Sequence, residues 1–132
     1  MDNSEKIERN KQFILSYYTA LVDAGVESGE AMIRRFTKNE SYIKAVLTFR
    51  HAFPAYEVFA EDITAEGDFV IVHGIFTGTH QGEIFGIPAT FRKVKFPMIV
   101  KYHLGDEQIL DAWPMFDQMA VFEQLGALPK TV

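Results

Sequence analysis

Cysteine is absent from this 132-residue chain, which excludes disulfides and thiolate metal sites. Long apolar runs are absent too: nothing approaches the roughly 20 residues that a membrane span requires. The opening Met1-Asp2-Asn3-Ser4-Glu5-Lys6 lacks the apolar stretch of a signal peptide, so the expected location is cytoplasmic. There is no basic excess. A net charge of −5 argues against nucleic acid or an anionic membrane surface as partner, since either would want a basic patch. No repeat, low-complexity tract or Pro/Gly/Ser linker divides the chain, and its length fits one domain over residues 1–132. What it does have is aromatic mass. Twelve Phe and five Tyr must be absorbed by a core, an interface or a pocket.

The first half reads as helices. Ile14, Tyr17, Tyr18 and Leu21 recur at helical spacing, with Ser4 as the expected cap and Gly25 as the stop. A short second helix is expected from Ser28, with Glu30 in its first turn. A third carries Ile43, Val46, Leu47 and Arg50 on one side and is stopped by Pro54. Beyond Pro54 the period changes to two. Strands are expected over Tyr56 to Thr64 and Phe69 to Thr79, joined by Glu66-Gly67-Asp68. Next, Val94, Phe96, Met98, Val100 and Tyr102 alternate with Lys93, Lys95, Pro97, Ile99 and Lys101, one apolar face against a mixed one. A turn at Gly105-Asp106 leads into Gln108 to Phe116. Asp117 then caps a last helix striped with Val121, Phe122 and Leu125 and closed by Gly126 and Pro129. Helices followed by a meander of long strands give an α+β fold with the helices over one sheet face.

Two stretches carry a family likeness. One is Gly78-Thr79-His80-Gln81-Gly82-Glu83-Ile84-Phe85-Gly86-Ile87-Pro88; the other runs from Trp113 through Asp117 to Gln124-Leu125-Gly126-Ala127-Leu128-Pro129. Together they resemble the SnoaL-like polyketide cyclases, within the nuclear transport factor 2-like superfamily. The match covers about Phe53 to Pro129, and the helical half agrees in pattern. The resemblance implies a cone: N-terminal helices packed on a strongly curved antiparallel sheet, with a short C-terminal helix. It also implies a deep pocket for a flat polyaromatic ester and a ring-closing aldol step that needs neither metal nor cofactor. That step uses one buried carboxylate as acid and base. Pro114 stands where the family carries this acid, and Val100 where it carries a pocket His. The segment between the first and third helices is shorter than the loop that helps wall the family's cavity. Superfamily members commonly meet a second subunit through the outer sheet face, which implies a homodimer with Trp113 as an anchor.

By this alignment the pocket face is Phe96, Met98, Val100 and Tyr102, continued by Leu110, Ala112, Pro114 and Phe116. These residues either line an apolar cavity for a small hydrophobic or aromatic molecule or simply fill the cone. Tyr18 and Tyr102 are candidate phenol donors to a ligand carbonyl. His73, Asp111 and Tyr102 are the candidate catalytic groups, although a lone strand His is more often structural. Alternation sends Asp111 to the face opposite Pro114 unless the strand bulges. His80 is expected to fix its turn by hydrogen bonds, while His51 and His103 sit at element ends. No acid or His pair has metal-ligand spacing, so no metal is expected, and the resemblance implies that no cofactor is needed. Three functions follow: a binder without cyclase chemistry, an isomerase, dehydratase or hydrolase with a different acid or base, or the aldol cyclase itself.

Overall fold

The structure, a computed structural model, describes residues 2–25 and 28–127. Its elements are α1 (Asn3–Ala24), α2 (Gly29–Phe36), α3 (Glu40–Ala52), β1 (Glu57–Glu66), β2 (Phe69–Thr79), β3 (Lys93–Gly105), β4 (Gln108–Phe116) and α4 (Gln118–Leu125). The strands form one antiparallel meander in the order β1-β2-β3-β4.

Helix α1 buries Asn10, Ile14, Tyr17 and Leu21, a spacing of four, three and four that keeps one stripe on the sheet. Its cap is Asp2, whose carboxylate accepts from the Glu5 N–H at 2.8 Å, two residues before the expected Ser4. The boundaries at Gly25, Ser28 and Asp117 fall as expected, while Asn39 was not anticipated. Gly25 ends α1 at φ 70°, and Ser28 precedes α2. Asn39 caps α3 by accepting from the Tyr42 N–H, and Asp117 caps α4 by accepting from the Ala120 N–H. Such caps are each worth about 1 kcal/mol. Gly126 closes α4 in the left-handed region, while Leu128 and Pro129 of the second motif lie outside the described residues.

The sheet curls because its strands are irregular in specific places. β1 carries a bulge between Ala60 and Asp62, opposite Gly74 of β2. A Cβ on Gly74 would stand 2.8 Å from Val58 Cγ1 and 3.1 Å from the Phe59 carbonyl, so β1 can fold over β2 only with glycine there. A second bulge falls in β4, between the pairs His103↔Asp111 and Leu104↔Ile109. Asp106 and Glu107, both at positive φ, make the two-residue turn between β3 and β4.

The inner face carries two packed clusters. Ile14, Tyr17, Ile33, Ile43, Val70, Val72 and Tyr102 fill the end under α1 and α2. Phe53, Phe76, Ile84, Ile87, Phe96, Val121 and Phe122 fill the end under α4. Met98 packs against both. The family-like stretches brace this second end. His80 is fully buried, and its Nδ1 lies 2.9 Å from Thr90 Oγ1 and accepts from the Thr90 N–H at 3.1 Å. Burial holds its pKa below the ordinary imidazole value. Gln124 donates to the Lys95 carbonyl and accepts from the Lys95 N–H, tying α4 to β3. None of the described helices is long and apolar enough to cross a membrane.

Candidate functional site

A cavity of about 310 Å³ opens between the two clusters. Alternation on three strands sends Val58, Phe76, Phe96, Met98, Val100 and Tyr102 into it, and α1 and α3 close it from above. The wall is mostly apolar, yet every tyrosine of the chain reaches it: Tyr17, Tyr18, Tyr42, Tyr56 and Tyr102.

Four of these phenols form two bonded pairs. Tyr17 and Tyr42 hydroxyls lie 2.6 Å apart, as do those of Tyr18 and Tyr102. Each pair holds two protons, and its mutual bond uses one. Tyr42 and Tyr102 also lie within hydrogen-bonding reach of each other, so the four phenols keep at least one O–H proton for other acceptors. Burial is the first cause pushing the pKa of all five tyrosines above the ordinary phenol value. The hydroxyls thus stay protonated near neutrality. They are donors, and none is a base.

Charge in the wall is sparse and sits at opposite ends. Asp111 stands at the rim, half-exposed, where its Oδ1 accepts from Asn39 Nδ2 at 3.2 Å and its Oδ2 lies 3.9 Å from His103 Nδ1. Arg50 lies on α3, eight residues beyond Tyr42, or about 12 Å along the helix axis. The residue is 7% exposed, and its guanidinium donates to the Gly25 carbonyl and lies 5.9 Å from the centre of the Tyr56 ring. Among the described residues no three His, Asp or Glu side chains gather as a metal site would require.

Of the residues expected to bind ligand, Tyr18, Phe96, Met98, Val100, Tyr102, Pro114 and Phe116 line the cavity, and Leu110 does not. The β4 bulge is the reason. It returns Ile109 to the core, while Leu110 turns outward against Gly105 with 42% of its surface exposed. Of the candidate catalytic groups, Tyr102 and Asp111 reach the cavity. His73 does not: it pairs with Ile99 on the outer face, its Nδ1 3.5 Å from Asp62 Oδ2. The bulge precedes Asp111, so Asp111 keeps the parity of Trp113 and reaches the cavity only at its rim. His103 lies within β3, stacked on Phe69, while His51 is exposed in the last turn of α3. Tyr17, Tyr42, Tyr56 and Arg50 were missed as site residues. Tyr17 and Arg50 carried a signal, since both stood on the apolar stripes of their helices.

Residues 19–125 match the family profile described as SnoaL-like polyketide cyclase. Solved structures agree. A protein from Jannaschia sp. CCS1 assigned as a SnoaL-like polyketide cyclase superposes with a TM-score of 0.78 at 26% identity, covering 98% of this chain and 99% of its own. AclR from Streptomyces galilaeus, assigned as a hydroxylase, gives 0.74 at 21% identity, covering 93% and 99%. A SnoaL-like polyketide cyclase from Agrobacterium tumefaciens gives 0.65 at 19% identity, covering 83% and 95%. The last two are likenesses of fold. No curated protein matches the chain by sequence.

Proposed function

Because the chain belongs to the SnoaL-like polyketide cyclase family, we propose that it takes a flat apolar or aromatic molecule bearing an acceptor oxygen into the cone, without the family's aldol chemistry. The observation that carries this is the gathering of all five tyrosines around one cavity, with phenolic protons left over to donate. Apolar walls drive entry by burial, at about 25 cal/mol per Å² removed from water. The phenols fix orientation, because an unused O–H in an apolar site costs free energy that a ligand carbonyl offsets. Pro114 supplies no proton and Val100 no imidazole, so the cavity centre has donors but no base. Native mass spectrometry of the purified protein tests the reading. A retained or titratable hydrophobic ligand supports it, and a protein that takes up no aromatic ketone refutes it.

A second reading rests on Asp111, the one acid among the described residues of the cavity wall. In it, Asp111 removes a proton next to a carbonyl at the rim while a phenol holds the enolate oxygen, as an isomerase or dehydratase would require. Loss of α-deuterium exchange in Asp111→Asn with ligand affinity kept would favour it.

The active form is a homodimer through the outer sheet face. Supporting this, that face exposes Phe59, Ile71, Ile99, Trp113 and Met115, more large apolar surface than a free sheet face usually shows. Its charges are segregated as well: Glu57, Asp62 and Glu66 on β1, and Lys93, Lys95 and Lys101 on β3. A two-fold axis along β2 would set the acidic strand of each copy against the basic strand of the other.

A further inference from the structure

Arg50 is the anomaly of the cavity. Side chains of this type are almost never fully buried unless paired. Here Arg50 as a residue is more than nine-tenths buried, yet no carboxylate among the described residues lies within ion-pair distance of its guanidinium. Among the described residues its hydrogen-bond partners are neutral, the Gly25 carbonyl and the Tyr56 hydroxyl, and the Tyr56 ring adds a weak π contact. A guanidinium has five N–H donors, so more than half of its capacity is uncommitted among the described residues while it faces the cavity. Gly29 leaves room for it, since a Cβ there would fall 2.5 Å from Arg50 Nε. Clamping the α1–α2 turn accounts for the bond to Gly25, though a neutral donor would serve that purpose equally well.

The opposite end of the cavity has the reverse character. Asp111 sits there beside Asn39 at the start of α3, close to the Tyr17–Tyr42 pair. An anionic group would be repelled from that rim and drawn to Arg50. The neutral acceptor oxygen would then fall to the phenols, about 12 Å away along α3.

We infer that the ligand is an acid: a flat aromatic or apolar carboxylate whose anionic group pairs with Arg50 while a carbonyl or ether oxygen at its far end accepts from the tyrosine hydroxyls. This rests on the binding role proposed above and adds the charge and orientation of the ligand. A planar fork suits a carboxylate through two parallel N–H···O bonds.

Isothermal titration of the full chain with 6-acetyl-2-naphthoate and with its methyl ester tests this, the two differing only in the charged end. The acid is expected to bind at least about tenfold more tightly than the ester, as a charge-assisted bond would give. Arg50→Gln should erase that preference, and Arg50→Lys should keep part of it. Thermal unfolding of each variant, run alongside, shows which are folded, and the wild-type comparison stands without them. An ester that binds as well as the acid would overturn the inference and leave the binding role intact; failure of both compounds to bind would overturn both. A preference that persists in folded Arg50→Gln would also overturn it.

Discussion

Val100 and Pro114 are direct partners across β3 and β4, and both line the cavity. β4 is an edge strand, where a residue without an N–H is tolerated. The pairing places a proton-free side chain at the centre of the wall, so chemistry there should be restorable. Pro114→Asp should raise the rate of α-deuterium exchange of bound 2-tetralone at least about tenfold over wild type, within the range of general acid–base contributions. Mass spectrometry in D₂O reads the exchange. An unchanged rate in folded Pro114→Asp would show that the position does not command the cavity.

The tyrosines make a pH prediction. Burial raises each folded pKa above the unfolded value of about 10. The protonated phenols therefore contribute stability that is whole below about pH 10 and declines as pH rises towards the folded values. Absorbance at 295 nm should show no five-tyrosine step near pH 10 in the folded protein, and the unfolding midpoint should fall above that pH. A full phenolate step at pH 10 without unfolding would contradict the buried cluster.

The outer face predicts self-association. Ile99→Glu should weaken the dimer at least about tenfold by sedimentation equilibrium, since it buries a charge beside Met115 in the contact. Lys95→Glu should weaken it less, and adding Glu57→Lys should restore it, because the two-fold along β2 opposes these positions. A monomeric wild type at high micromolar concentration would refute the assembly.

Much of this architecture was legible because it rests on local rules. The two-residue period of Val94 to Tyr102 placed the inner face of β3 correctly, and Asp117, Gly25 and Gly126 marked helix ends by their backbone chemistry. Leu110 was misplaced because a bulge shifts alternation by one residue, and no residue in Gln108-Ile109-Leu110-Asp111 announces it. His73 had apolar neighbours in alternate positions on either face of β2, so its direction depended on register with β3, which only the paired strands fix. Tyr42 and Tyr56 were unread for another reason. Their hydroxyls converge with partners 25 or more residues away or with Arg50 from another element, and sequence spacing carries no trace of such meetings.

The central claim is that phenol donors in an apolar cone select a ligand by its acceptor oxygen. Isothermal titration comparing 2-acetylnaphthalene with 2-isopropenylnaphthalene, nearly alike in shape but lacking the oxygen, measures this selection. The ketone should bind about fivefold or more tightly, and Tyr18→Phe with Tyr102→Phe should reduce that advantage to about twofold or less. Equal affinity for the two compounds in wild type would contradict the account.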